Sequence, residues 1–348
     1  MVTGGAGFIG SALCRRLFTE TKDTITVVDK MTYAASRASL APLEGSPRFR
    51  LIEADICDAG LMRDLFEAIE PDHVYHLAAE SHVDRSIAGP RAFIDTNVVG
   101  TFSLLEAALE QWQRRPDRTK DQFRFLHVST DEVYGALGVA GRFTEDTAYN
   151  PSSPYSASKA ASNHLAKAWH RTYGLPVLIS NSTNNYGPYQ FCEKLVPQMI
   201  VKAIEGKTLP VYGNGDHVRD WLFVGDHVRA LELIMNSGHP GQTYNVGARA
   251  ERTNLQVVEA ICTLLDELLP GKSPHRTHVE FVADRPGHDR RYAVDPSKLE
   301  RELGWHALES FDSGLRRTVL WYLNNRAWWE PLRSQVYAGE RLGMSTVR

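Results

Sequence analysis

Short runs that are apolar almost throughout alternate, over the first two-thirds of the chain, with segments whose apolar residues recur every three or four positions. TITVVD (24–29), FRLIEAD (49–55), HVYHLAA (73–79), FRFLHVS (123–129) and PVLISNS (176–182) are of the first kind. Nearly continuous apolar character over so few residues marks strands covered on both faces, as in a parallel sheet. Residues 59–70 are of the second kind, with Leu61, Leu65, Phe66 and Ile69 on one stripe. Longer helices are predicted over 91–113 and 155–173. Strand and helix alternating at this spacing predict an α/β fold, a doubly wound parallel sheet of Rossmann type.

Beyond about residue 185 the pattern changes. Helical periodicity covers 195–205, 226–236, 255–268 and 312–324, with short strands at LPVY and QTYNV and loops rich in Gly, Pro, Asp and Arg. The division predicted is 1–185 for the sheet domain and 186–348 for a smaller lobe, some of whose segments return to the sheet. RRPDRTKDQ, after the helix ending near Gln113, reads as a solvated loop.

Composition changes this picture little. The chain is 348 residues long, 43% hydrophobic and 23% charged, with a formal charge of −3. That balance carries no basic footprint for nucleic acid or an anionic membrane. Cys14, Cys57, Cys192 and Cys262 are far apart and form no CxxC pair, so free thiols in a reducing cytoplasm are expected. Neither a leader before the first motif nor an apolar stretch of membrane-spanning length is read from the chain. His73 and His76 have no Cys or carboxylate at ligand spacing, and no metal is expected.

TGGAGFIG (3–10) places glycines at 4, 7 and 10 before a helical pattern, with Phe8 and Ile9 among them. Glycine there permits a tight strand-to-helix turn and close approach of backbone to a pyrophosphate. Asp29 ends the next strand, where an acid grips the adenosine ribose diol and favours NAD over its 2′-phosphorylated form. The alternative is a Gly-rich turn and an unrelated surface acid. Asp55 in ADI suits adenine, and the small residues of LAA (77–79) let a cofactor lie against backbone. Only Met1 and Val2 precede Thr3, against the usual five or six residues of a strand; the recorded start is expected to fall a few codons late.

STDEVYG (129–135) puts Asp131 and Glu132 together just past an apolar strand. They are either turn chemistry or an acid and a base aimed at one substrate. In PYSASKAASNHL, Tyr155 and Lys159 are four apart on a helix and share one face. A neighbouring ammonium is expected to lower the phenol's pKa, making Tyr155 a base for an alcohol.

These motifs, with VVDKMTYA, EADICD, HLAAESHVDRSI, NNYGPYQFCEKLVP, RDWLFVGDHVRAL and DRPGHDRRYAVD in the same order, resemble the extended short-chain dehydrogenase/reductase family, in its nucleotide-sugar dehydratase branch. The resemblance runs from Thr3 to about Tyr322. It implies NAD contacts at Gly4, Gly7, Phe8, Ile9, Gly10, Asp29, Lys30 and Thr32. Further NAD contacts are implied at Asp55, Ile56, Leu77, Ala79, Thr96, Tyr155, Lys159 and Asn185. Thr130, Asp131 and Glu132 match the active-site triplet, and Ser81 a substrate contact beside it. Asn184, Glu193, Lys194, Leu195, Pro210, Tyr212, Arg219, Asn254, Arg285 and His288 fall where the family holds its nucleotide-sugar. Arg219 and Arg285, with Lys194, are cations suited to a diphosphate.

The resemblance implies an NAD-dependent hydro-lyase acting on a nucleotide-glucose, dTDP-glucose foremost, in a cytoplasmic homodimer built on helices 91–113 and 155–173. Tyr155 would take the 4-hydroxyl proton, Glu132 the proton on carbon 5, and protonated Asp131 would release the 6-hydroxyl. A 4-epimerase or decarboxylase on the same scaffold, and a non-enzymatic NAD-binding regulator, are the competing readings. Two departures from the family pattern stand out: AAS at 34–36 in place of an Ala-Gly-Asn run, and a short segment between Gly135 and Phe143.

Overall fold

Ile25–Asp29 is buried at every residue, as expected of a strand with helices on both faces. It is one of twelve strands in the computed structural model, which describes residues 1–284 and 288–335. In chain order these are β1 (Val2–Thr3), β2 (Ile25–Asp29), β3 (Phe49–Glu53), β4 (His73–His76), β5 (Arg124–Thr130) and β6 (Val177–Ser182). Then come β7 (Asn184–Tyr186), β8 (Leu209–Tyr212), β9 (Val218–Phe223), β10 (Thr243–Val246), β11 (Glu251–Thr253) and β12 (Val279–Val282).

Seven of them form one sheet in the order β10-β6-β5-β4-β1-β2-β3, with every pairing parallel. The order reverses at β1, the switch point outside which such sheets bind ligands. Strand β10, read from QTYNV, joins the edge of this sheet by pairing with β6, although it follows the segments of the smaller lobe. The remaining strands make a three-stranded sheet, β11-β9-β7, and a parallel pair, β12-β8.

The strands end sooner than the apolar runs do. β4 stops at His76 and β3 at Glu53, which leaves Leu77, Ala79 and Asp55 on loops at the carboxyl edge of the sheet. Apolar loop residues there face a ligand cavity instead of a covering helix, and the sequence pattern cannot tell the two apart.

The helix expected over 91–113 is observed as Arg91–Arg114 with a π-helical stretch, Ile94–Gly100, inside it. The stretch rides against the loop after β3: a Cβ on Gly100 would sit 2.6 Å from the Ile56 side chain. By length and apolarity this helix is sufficient to cross a membrane, contrary to the expectation that no stretch is; half of its most apolar window is buried in the fold. Helix Pro154–Tyr173 packs beside it and opens with a capping box, Ser153 and Ser156, and Pro154 in the first turn. Those caps fix where Tyr155 stands.

Candidate active site

The glycine turn forms because Gly4 has φ +69° and a side chain on it would meet the amide of Ala78 at 2.6 Å. At Gly10 a Cβ would come within 2.2 Å of the Gly4 carbonyl, so helix and turn touch through backbone. Asp29 closes the turn from β2: one carboxylate oxygen accepts from the Ala6 amide and the other from the Met31 amide, both at 2.9 Å. Lys30 pairs with Asp55 at 2.6 Å across the mouth.

Above these residues lies a cavity of about 320 Å³. Gly4, Gly7, Phe8, Ile9, Gly10, Asp29, Lys30 and Thr32 line it. So do Asp55, Ile56, Leu77, Ala79, Thr96, Tyr155, Lys159 and Asn185. Every residue assigned to NAD by the resemblance thus faces one space. Backbone amides at a helix start, an acid at the ribose position and small residues along the floor form a donor set that fits a dinucleotide. Glu80, Gln190 and Phe191 also line this cavity; they sit in irregular segments where residue type alone points nowhere.

A second cavity, about 340 Å³, adjoins the first. Ser81, Asn184, Glu193, Lys194, Leu195, Pro210, Tyr212, Arg219, Asn254 and His288 line it. Arg285 lies outside the described residues. Glu132, Ser81, Asn184, Glu193 and Lys194 border both cavities, so the carboxylate of the STDEVYG stretch stands where the two spaces meet. Trp221, Gln198 and Lys202 also line the second cavity; on amphipathic segments they read from sequence as packing or solvated residues.

The cations are engaged with protein oxygens. Lys194 donates to the Ser81 carbonyl at 2.9 Å, and Arg219 donates to the carbonyls of Val218 and Asp289 while lying over the Tyr292 ring. His288 meets Asp284 at 2.7 Å and stacks on His217, ring centroids 3.5 Å apart. His217, Asp284 and His288 form a group with metal-ligand chemistry, its ligand atoms within 4.8 Å of one another; Asp284 already faces both rings.

Asp131 is 1% exposed at the end of β5. Burial, and after it the charge of Glu132, push its carboxyl well above the usual range, which favours the protonated form. One oxygen accepts from the Thr130 hydroxyl at 3.3 Å; the other has no hydrogen-bond partner among the described residues. Thr130 in turn accepts from the Glu132 amide at 3.2 Å, which sets the triplet's turn.

Lys159 is buried, and desolvation lowers its pKa to about 7. The Tyr155 phenol is pushed up, by burial first and the Glu132 charge second, with the Thr130 hydroxyl opposing. This differs from the expectation that Lys159 lowers it. The Lys159 side chain is turned to the carbonyl of Val128 at 2.9 Å, and burial, then the Glu132 charge, set the direction at Tyr155.

The family profile described as GDP-mannose 4,6 dehydratase matches residues 1–318. A probable dTDP-glucose 4,6-dehydratase of Sinorhizobium fredii is 58% identical over 99% of this chain and 98% of its own. The dTDP-glucose 4,6-dehydratase of Salmonella typhimurium is 54% identical over 97% and 96%. Among solved structures, dTDP-glucose 4,6-dehydratase from Streptomyces venezuelae with NAD and TYD bound superposes with a TM-score of 0.87, at 46% identity and covering 95% and 98% of the two chains. The chain belongs to the 4,6-dehydratase family of the extended short-chain dehydrogenase/reductases, alongside the dTDP-glucose 4,6-dehydratases.

Proposed function

We propose that this chain is an NAD-dependent dTDP-glucose 4,6-dehydratase, a hydro-lyase that forms the 4-keto-6-deoxy sugar. The carbon 5 proton of a hexose is not acidic until carbon 4 is a ketone, so oxidation must precede elimination. NAD, when bound, supplies the acceptor for the carbon 4 hydride and the donor that returns it at carbon 6. Tyr155 takes the 4-hydroxyl proton, with Thr130 hydrogen-bonding the same oxygen. Tyr155 lines the cavity that would hold NAD, and a cationic ring bound there would oppose the burial that holds the phenol up. Glu132 removes the proton on carbon 5 and gives a proton back to that carbon as the hydride returns to carbon 6. Asp131, protonated, gives its proton to the departing 6-hydroxyl, and the two acids need opposite protonation states to do so.

The observation that carries this reading is Glu132 at the junction of the two cavities, with Asp131 buried directly beside it and its carboxyl pushed well above the usual range. A 4-epimerase needs the oxidation and a rotating ketone and has no use for that pair. The relatives named as dTDP-glucose 4,6-dehydratases support thymidine over other bases.

We assign residues 1–185 to the cofactor and 186–348 mainly to the nucleotide-sugar, in a cytoplasmic homodimer. The free state of all four cysteines supports the compartment. Exposed Ile94, Val99, Phe102 and Tyr173 on the two long helices support the dimer. Incubation with NAD and dTDP-glucose, followed by mass spectrometry and NMR, tests the activity. Loss of one water with a 4-keto-6-deoxy spectrum is the expected result; dTDP-galactose as sole product overturns it in favour of the epimerase.

A further inference from the structure

Beneath the cofactor cavity runs a hydrogen-bond chain whose every proton can be assigned. Thr101, the residue that follows the π-helical stretch, donates its only hydroxyl proton to the Asn97 carbonyl at 2.6 Å. Toward His76, whose Nε2 lies 2.9 Å away, that hydroxyl is therefore an acceptor, and Nε2 carries the ring proton. Nδ1 is then bare and accepts from the Thr3 hydroxyl at 2.8 Å. The Thr3 oxygen accepts in turn from the Ala78 amide at 3.3 Å. His76 is 1% exposed, and its neutrality agrees with the burial that lowers its pKa to about 3.

Both ends of this chain reach working parts. Ala78 is the backbone that Gly4 lets the glycine turn touch, and its neighbours Leu77 and Ala79 floor the cavity. At the other end the Asn97 side chain accepts from the Glu80 amide at 2.9 Å and donates to the Ser158 hydroxyl at 2.8 Å. Ser158 donates to the carbonyl of Tyr155 at 2.7 Å. Thr96, which lines the cofactor cavity, precedes Asn97 in the π-helical stretch.

We infer that His76, held as the neutral Nε2–H tautomer, is a positioning residue for hydride transfer: through Thr3 and Thr101 it locks the cofactor floor to the turn that sets Tyr155. A one-residue insertion such as the π-helical stretch leaves backbone groups without their ordinary helical partners. The Thr101 hydroxyl, bonded back to Asn97, ties that stretch to the sheet through the imidazole. Because Tyr155 and the nicotinamide must approach within a few tenths of an ångström of reacting geometry, loosening this tie acts on the chemical step.

The inference rests on the dehydratase reading, and its test separates the two. Thr101→Val keeps shape and removes both bonds, whereas Thr101→Ser keeps the hydroxyl. Single-turnover formation of reduced cofactor from dTDP-glucose is expected to slow about tenfold or more in Thr101→Val, with KM and NAD content within about twofold of wild type. Deuterium at carbon 4 then slows the variant more than the wild type, and Thr101→Ser restores the rate. His76→Phe repeats the loss; if it fails to fold, the Thr101 pair decides. A folded, NAD-loaded Thr101→Val that transfers hydride at the wild-type rate overturns the inference while leaving the dehydratase reading intact. If the wild type makes no keto sugar, that reading fails instead, and ring-nitrogen NMR judges His76. A bare Nδ1 and protonated Nε2 that do not titrate between about pH 5 and 9 support the assigned tautomer; a charged ring or an Nδ1–H tautomer overturns it.

Discussion

Lys159 donates to the main-chain carbonyl of Val128, 2.9 Å away, from a site that is 4% exposed. Only desolvation acts on it appreciably, and its pKa falls from 10.5 to about 7. The unfolded chain therefore binds a proton that the folded chain has released between about pH 7 and 10.5, and stability rises with pH through that window. Below about pH 7 the burial cost is complete. Lys159→Met is expected to stabilise the fold at pH 6 by on the order of 3–5 kcal/mol, the free energy of so large a shift, and to give no gain above about pH 10.5. Thermal unfolding across pH checks this; a stability difference independent of pH would remove desolvation as the cause. Activity is lost throughout.

Asp131 shifts the other way, upward, through burial and the Glu132 charge. Folded Asp131 keeps its proton where the unfolded residue has lost it, so its contribution to stability falls as pH rises through that interval. Asp131→Asn is expected to raise the melting temperature at neutral pH and to lower turnover about 100-fold, the usual scale for a general acid. Glu132→Gln is expected to lose a similar factor but to keep oxidation at carbon 4, so reduced cofactor accumulates at 340 nm without release of water. Equal loss of both steps in Glu132→Gln would leave Glu132 without its assigned role.

At Gly4 the constraint is steric. With φ +69° and 2.6 Å between an added Cβ and the Ala78 amide, Gly4→Ala pushes β1 from the loop that floors the cofactor cavity. Strain of about 1–3 kcal/mol is expected, with NAD affinity lowered about tenfold or more. Gly45 also has positive φ (+81°) but no atom within 4 Å of the added methyl. Gly45→Ala should carry the conformational penalty alone and bind NAD as the wild type does. Calorimetric titration of the stripped proteins with NAD distinguishes the two.

How much of this was legible beforehand follows from what each signal reports. The glycine turn was legible because backbone approach demands glycine in a fixed register, and Asp29 at the end of β2 is found closing that turn through the Ala6 and Met31 amides. The Tyr155–Lys159 face was legible from helical spacing, yet the direction of the Tyr155 shift was not: spacing reports proximity, and burial decided the sign. The π-helical stretch at Ile94–Gly100 left no periodic mark, since an inserted residue over a segment this short is lost in the mixture of apolar and polar positions, IDTNVVG. Strand β10 read as part of the smaller lobe because periodicity carries no information on which sheet a strand joins. Gln198 and Lys202 escaped notice because a helix shows a cavity the same polar face that it shows to water.

Phe102 and Val99 are each 43% exposed on the face of Arg91–Arg114, with Ile94 at 45%. Phe102 touches Trp169 of the adjacent helix edge-on, ring centroids 5.7 Å apart, so the two helices present one continuous apolar strip. Covering such a strip with a second copy removes apolar area worth roughly 25 cal/mol per Å² from water. A charge at its centre must be desolvated or leave the surfaces apart. Phe102→Glu is expected to convert the proposed homodimer to a monomer in sedimentation velocity, whereas Val139→Glu, in the irregular segment after Gly135 and 98% exposed, changes nothing. Should Phe102→Glu sediment as the wild type does, the two-helix strip is not the interface.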